Sequence, residues 1–134
     1  MNQNHHHRDT EAQRDSLTEI VIGAAIEVHR ALGAGLLESA YEECLSYELG
    51  CRDLSFKRQV SLPLQYKSLT LDCAYRMDIV VDNRLILELK AVEKLLPIHD
   101  AQLLTYLRLS GLKTGLLLNF NVPLLKDGLK RMSL

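Results

Sequence analysis

The sequence predicts a single α/β domain in which a mixed central sheet is flanked by helices. Two segments with helical apolar periodicity come first, three strand-like segments follow, and a third helix precedes a short apolar run over 113–120. This order of elements is typical of one sheet with helices packed on it. At 134 residues the chain is long enough for one such domain with its own hydrophobic core.

The first helix is predicted to begin at Ser16, because Ser16 and Glu19 have the spacing of a capping box. Residues 1–15 are polar and aperiodic, so they are expected to form a flexible tail before a domain over 16–134. The tail contains the tract His5–His7, which is either incidental or a metal-binding tract. The apolar positions of this helix are Leu17, Val21, Ala24, Val28 and Leu32, with Ile22, Ala25 and Ile26 beside them.

Glycine and proline mark where the remaining elements end. Gly33, Gly50 and Gly111 each follow a helical segment, and Pro97 suits the first turn of a helix. Pro63 suggests an edge strand, and 113–120 has the continuous apolar run of a buried central strand. The predicted elements are helices over about 36–49 and 98–110, strands over 56–66, 69–81, 84–92 and 113–120, and a turn at Asp127-Gly128 before a last short strand.

Composition limits the function classes. Apolar residues make up 47% and charged residues 25% of the chain, as in ordinary soluble proteins. No apolar run reaches the roughly 18–20 residues of a membrane span, so we expect a cytosolic protein without a membrane partner. The net charge of -1 argues against a strong autonomous grip on nucleic acid. Three cysteines without CxxC spacing favour buried, reduced thiols over disulfides or zinc.

Three charged residues interrupt the predicted apolar strands. Asp78 lies in one strand, and Glu88 and Lys90 leave the same face of the next one, since they are two positions apart. Carboxylates on a buried face are normally paired or bound to a metal. Mg²⁺ and Mn²⁺ favour such oxygen ligands, and Lys90 could orient an attacking water or stabilise charge on a phosphate. The alternative is a plain salt bridge on a solvated face, Glu88 with Lys90 or Asp78 with Arg76.

A shared site makes a geometric demand on the connection between these strands. A strict two-residue loop at Asp82-Asn83 would place Asp78 opposite Leu87, facing away from Glu88. The site therefore predicts an odd-numbered loop or a bulge, which would return Asp78 to the face of Glu88.

The segment GLLESAY over 35–41 has the pattern GxxExxY, and the chain resembles the GxxExxY protein family, which belongs to the PD-(D/E)xK nuclease-like superfamily. The likeness continues through YRMDIVV, ELKAVE and AQLLTYL and covers the chain from residue 17 onward. It implies a nuclease-like core, with a three-stranded meander plus further strands. Under the resemblance, Asp78 and Glu88 are metal-binding and catalytic residues, and Lys90 is the catalytic lysine. Met77 stands where a proline is common.

The resemblance also implies roles for helical residues. Glu38 matches a helical Glu that helps to bind the metal, although a carboxylate at a helix start is also favoured by the macrodipole. Gln102 resembles a catalytic Gln beside the lysine. His99 and Tyr106 lie on one stripe with Gln102, so all three are either site residues or a solvated polar stripe. Tyr41 is a supporting residue or a core residue with a polar tip, and His29 is expected to be structural.

The expected function is a Mg²⁺- or Mn²⁺-dependent phosphodiesterase, nuclease-like, acting on DNA or RNA. The alternatives are a non-catalytic nucleic-acid- or protein-binding module that retains the nuclease fold, and hydrolysis of a small phosphorylated substrate. The edge strand around Pro63 also makes a homo-oligomer conceivable.

Overall fold

A computed structural model describes residues 10–134, apart from the side chains of Arg14, Cys73 and Ala74. The three helices are α1 (Glu11–Leu32), α2 (Glu38–Cys51) and α3 (Pro97–Ser110). The five strands are β1 (Phe56–Tyr66), β2 (Leu69–Val81), β3 (Leu85–Lys90), β4 (Thr114–Asn119) and β5 (Leu129–Ser133). A 3-10 turn over Leu125–Gly128 leads into β5.

The strands form one sheet in the order β1-β2-β3-β4-β5. Strands β3 and β4 pair in parallel, and the other neighbours pair antiparallel. A parallel pair needs a crossover connection, and α3 provides it. The predicted α/β class, the mixed sheet with its three-stranded meander and the central position of β4 are therefore confirmed.

Each face of the sheet carries its own buried cluster. The α1–α2 face packs both N-terminal helices against alternate residues of the central strands, and the α3 face packs α3 against the others. The α1–α2 face includes Val21, Tyr41, Leu45, Leu87, Leu89 and Phe120. The α3 face includes Met77, Val80, Ile86, Leu103, Tyr106 and Leu117. Since β3 contributes to both faces, it lies at the centre of the molecule.

Helix α1 begins at Glu11, so the predicted start at Ser16 is wrong. Thr10 is the N-cap: its side chain accepts a hydrogen bond from the backbone of Gln13, and the Gln13 side chain accepts one from the backbone of Thr10. This capping box satisfies the first-turn amides six residues earlier than the Ser16 pair would. Residues 10–15 of the predicted tail therefore cap or belong to the helix, whereas residues 1–9, with His5–His7, lie outside the described residues.

Helix α2 begins at Glu38 rather than near Leu36 because the preceding loop is held in another conformation. The hydroxyl of Tyr41 donates to the carbonyl of Gly33 at 2.6 Å and accepts from the amide of Leu36 at 3.1 Å. Gly35 within this loop has φ 96°, a left-handed conformation that glycine adopts readily. The GxxExxY pattern thus includes a loop glycine, the first helical residue and the tyrosine that fixes the loop.

The thiols of Cys44 and Cys51 are exposed and free, so the prediction of buried cysteines is wrong for these two. The buried positions of α2 are Tyr41, Glu42, Leu45, Ser46 and Leu49, and neither cysteine belongs to that stripe. Leu32 and Ile26 of α1 are likewise partly exposed, because the buried face of α1 is narrower than its apolar content predicts.

None of the helices among the described residues has the length and apolar character needed to cross a membrane.

The strands match their predicted ranges closely. Pro63 lies in the edge strand β1, at the point where the register with β2 shifts. Strand β3 is shorter than predicted, because Arg84 belongs to the turn before it. After Lys90 the backbone leaves the sheet ladder and instead bonds to side chains: the amide of Ala91 to Glu38, and Val92 to Asn119. These contacts fix the end of β3.

Candidate metal centre

Asp78 and Glu88 face each other at the end of the β2–β3 pairing. The ladder runs from Val81 opposite Leu85 to Ile79 opposite Leu87, so the connecting loop has three residues, 82–84. Asp82 and Asn83 in this loop both have φ 54°. The odd-numbered loop that a shared site requires is therefore confirmed.

The carboxylates of Asp78 and Glu88 accept hydrogen bonds from backbone amides at the positions where the β2–β3 pairing would otherwise continue. Glu88 Oε1 accepts from the amide of Asp78 at 3.0 Å, and Asp78 Oδ2 accepts from the amide of Leu89 at 2.8 Å. Each side chain thus holds the opposite strand with one oxygen. Among the described residues, the second oxygen of each carboxylate has no hydrogen-bond donor. One oxygen from each strand therefore remains available to a cation.

Strand β2 leaves β3 at this point, which opens the sheet beside the carboxylates. Met77 and Val80 both pack on the α3 face, although an odd spacing normally places residues on opposite faces. On β1, Gln59 has φ 51°, and its side chain donates to Glu42 of α2 at 2.9 Å. The local break in alternation allows side chains from both helical faces to approach the carboxylates.

Burial perturbs the acid–base properties of both carboxyl groups. Glu88 is only 3% exposed, and this burial, together with the nearby Asp78 charge, raises its pKa to about 8. The pKa of Asp78 is also raised, mainly by burial and further by the Glu42 and Glu38 charges. The hydrogen bonds from backbone amides and the Lys90 charge oppose these shifts. Such carboxylates gain stability from a cation that neutralises them.

Lys90 belongs to a chain of polar contacts with α3. Its ammonium donates to Gln102 Oε1 at 3.3 Å, and the side chain of Gln102 lies close enough to Tyr106 to lower the pKa of its hydroxyl. Burial, with the Glu88 and Asp78 charges, raises the pKa of Tyr106 to about 12, so its hydroxyl keeps its proton. The salt-bridge alternative is wrong for the described residues: Glu88 is buried rather than solvated, Lys90 contacts Gln102, and Asp78 does not pair with Arg76.

Glu38 reaches the same end of β3 from the other face. Its Oε2 accepts from the amide of Ala91 at 3.3 Å, and its charge contributes to the raised pKa values of Asp78 and Glu88. Tyr41, by contrast, is a core residue: its ring stacks on Phe120 with centroids 4.5 Å apart, and its hydroxyl binds the Gly33–Leu36 loop. His29 is structural, as predicted, because Nε2 bonds the carbonyl of Val122 at 2.8 Å.

A cleft of about 430 Å³ opens beside Lys90 along α3. It is lined by Tyr75, Lys90, Ile98, His99, Ala101, Gln102, Thr105 and Tyr106. The predicted stripe of His99, Gln102 and Tyr106 therefore lines a single cleft. His99 also accepts, through Nδ1, a hydrogen bond from the amide of Leu96 at 2.9 Å, which caps α3.

Two features of this region were missed by sequence reasoning. Tyr75 lines the cleft, but a tyrosine in a strand carries no signal of that position. Asn119 is 2% exposed and holds the chain after β3, since it accepts from the amide of Val92 at 3.0 Å and donates to its carbonyl at 2.9 Å. A buried amide that ends an otherwise apolar strand was a signal that could have found Asn119.

The donor set fits a hard divalent cation. Within residues 10–134, no three His, Cys, Asp or Glu side chains are grouped as a ready-made metal site. Mg²⁺, however, is commonly bound through one or two carboxylates, with waters and substrate phosphates completing its shell. The facing pair of Asp78 and Glu88 meets that requirement, with Glu38 close by.

Comparison with protein families agrees with this geometry. Residues 15–132 match the family model of the PD-(D/E)XK nuclease superfamily. The chain belongs to this superfamily. Neither the curated proteins nor the solved structures give a match. Membership of the PD-(D/E)XK nuclease superfamily supports a nuclease-like function and the possibility of nucleic-acid binding, while the narrower likeness to the GxxExxY family stays a prediction.

Proposed function

We propose that this PD-(D/E)XK superfamily member is a Mg²⁺- or Mn²⁺-dependent phosphodiesterase that acts on DNA or RNA. The observation that carries the proposal is the pair of facing carboxylates, the half-buried Asp78 and the buried Glu88, with Lys90 on the same strand as Glu88. Burial raises the pKa values of both acids, and the Asp78 charge further raises that of Glu88, a perturbation that clusters at functional sites.

Asp78 and Glu88 would hold the cation, and Glu38 would contribute directly or through a water. When bound, the ion would polarise a phosphoryl oxygen and lower the pKa of a water. Lys90, held by Gln102 at 3.3 Å, would position the attacking water or stabilise charge on the scissile phosphate. Tyr106 supports Gln102 from the protein side and retains its proton.

The metal site is tested by thermal unfolding with and without Mg²⁺ or Mn²⁺. A cation that binds only the folded state at ten times its Kd stabilises it by about 1.4 kcal/mol, so Tm should rise by a few degrees. Asp78→Asn and Glu88→Gln should abolish this rise. Glu27→Gln is the matched control, because Glu27 is an exposed carboxylate on α1, outside the site. An equal rise in all four proteins would contradict the site.

Catalysis is tested with plasmid, single-stranded DNA and RNA, with and without Mn²⁺. Glu88→Gln should reduce hydrolysis by more than about 100-fold, since even residues that only support metal ligands contribute about 10- to 100-fold. Metal binding without hydrolysis of any substrate would instead favour the non-catalytic binding module.

A homo-oligomer through the β1 edge remains a separate prediction, which sedimentation at several concentrations would test.

A further inference from the structure

The cleft beside Lys90 is lined in part by residues that have no role in the proposed phosphodiesterase mechanism. Tyr75 lies on β2 beyond its pairing with β3 and is 40% exposed. Its ring is tilted by 56° against the ring of Tyr106, with centroids 6.0 Å apart, and Tyr106 is only 4% exposed. Tyr75 is thus supported from behind by a buried ring while much of its own surface faces the solvent.

The same cleft contains a second exposed apolar side chain. Ile98, in the first turn of α3, is 67% exposed, and it lines the cleft with Tyr75 and Lys90. The cleft therefore combines a cation and an amide with an aromatic and an aliphatic surface, which match the two parts of a nucleotide. The volume of about 430 Å³ lies in the range of small-ligand sites, roughly 300–1,000 Å³.

Charge points to the form of the nucleic acid. Among the residues that the structure describes, Lys90 is the one cationic side chain, His99 aside, that lines the cleft, and the whole chain has a net charge of -1. A duplex binder depends mainly on many phosphate contacts, which this surface does not offer. Single strands can also be held by stacking their unpaired bases on aromatic rings, a contact that every base can make.

We propose that Tyr75, with Ile98 lining the same cleft, forms a base-stacking subsite for single-stranded nucleic acid, next to the phosphate position at Lys90. This inference rests on the proposed phosphodiesterase function and gives its substrate class. Bases within a duplex are stacked on one another and cannot cover the Tyr75 ring, so the subsite selects strands whose bases are free.

The test is fluorescence anisotropy with labelled 12-nucleotide strands, in EDTA and at low salt so that they stay intact. The probes are oligo-dT, oligo-U, a strand of abasic sites with the same phosphates, and a duplex. Oligo-dT and oligo-U, whose bases differ by a single methyl group, separate DNA from RNA. We expect the single strands to bind more tightly than the abasic strand and the duplex.

Variants then locate the contact. Tyr75→Ala should weaken single-strand binding by about 5- to 100-fold, the usual range for losing one stacked base. Tyr75→Phe should keep most of the affinity because it retains the ring. Tyr47→Ala is the matched control, since Tyr47 is 76% exposed on α2, away from the cleft.

Equal binding of the abasic strand, a preference for the duplex, unchanged affinity of Tyr75→Ala or no measurable single-strand binding would each overturn the subsite. The two proposals fail separately. Base-dependent binding through Tyr75 by a protein that hydrolyses no nucleic acid would reject the phosphodiesterase and keep the subsite. Mn²⁺-dependent hydrolysis with binding that is indifferent to Tyr75 would do the reverse.

Discussion

Strands β3 and β4 lie side by side at the centre of the sheet and run parallel. At one paired position both strands bury a side chain, but the side chain of β3 is acidic and that of β4 is apolar. Glu88 of β3 pairs with Leu117 of β4, and the two side chains are 3% and 0% exposed. Burying a leucine stabilises the fold, whereas burying a carboxylate costs free energy unless it is neutralised. Strand β3 therefore carries a less stabilising residue than β4 at the position that we propose for a metal ligand.

The environment of β4 confirms that this layer is packed as a core. A Cβ added at Gly115 would come within 2.8 Å of Leu103, so α3 lies close against the strand. Every residue of β4 is buried. The apolar neighbours that make β4 stable therefore also form the low-polarity surroundings that raise the pKa of Glu88.

The largest expected effect comes from changing the paired positions in opposite directions. Leu117→Ala should lower the free energy of unfolding by about 2–5 kcal/mol, through lost apolar contacts and a cavity. Glu88→Leu should leave stability in EDTA unchanged or raise it by about 1–4 kcal/mol, because a buried polar carboxyl group, protonated or ionised, gives way to an apolar group. Urea unfolding measures both. A Glu88→Leu variant as unstable as Leu117→Ala would refute the comparison.

A smaller effect is expected at the carboxyl ends of the two strands, where Lys90 pairs with Asn119. Asn119→Ala should lower the free energy of unfolding by about 1–3 kcal/mol, since the amide and carbonyl of Val92 lose their buried partner. Lys90→Met should change stability by less than about 0.5 kcal/mol, because Lys90 is only half-buried, but it should reduce hydrolysis. Equal stability losses in the two variants would show that Lys90 is structural.

The contrast between β3 and β4 also explains how much of the fold and of the candidate site the sequence could predict. The apolar run of β4 and the helix ends at Gly33 and Gly111 follow from local patterns, and the structure confirms them. The start of α1 was predicted wrongly because Ser16–Glu19 and Thr10–Gln13 both have the spacing of a capping box, and only the second pair forms one. Only the packing and bonding of the folded chain choose between two such local signals.

For the site, local spacing identified the charged residues but not their arrangement. Glu88 and Lys90 share a strand, so their common face could be predicted, while the position of Asp78 depended on the loop length, which was given only as a condition. Asn119 and Tyr75 were missed, because their roles arise from contacts between segments distant in sequence. Long-range contacts of this kind leave no periodic signal.

The most gradual effect is the contribution of Glu88 to the pH dependence of stability. In the unfolded chain Glu88 ionises near 4.5, whereas burial keeps it protonated in the folded protein up to about pH 8. Between these values the folded state binds more protons than the unfolded state, so stability falls as pH rises. The slope from one such group is at most about 1.4 kcal/mol per pH unit.

This slope is measured as the difference between the wild type and Glu88→Gln, both in EDTA, by urea unfolding at several pH values. The difference cancels the groups that titrate alike in both proteins, and the variant should show a flatter profile from pH 4.5 to 8. Mn²⁺ should reduce the decline in the wild type, because the cation binds the ionised form that high pH favours. Identical profiles for the two proteins would mean that Glu88 has the same pKa in the folded and unfolded states. Burying Glu88 in β3 would then cost no more electrostatic free energy than burying an apolar residue in β4.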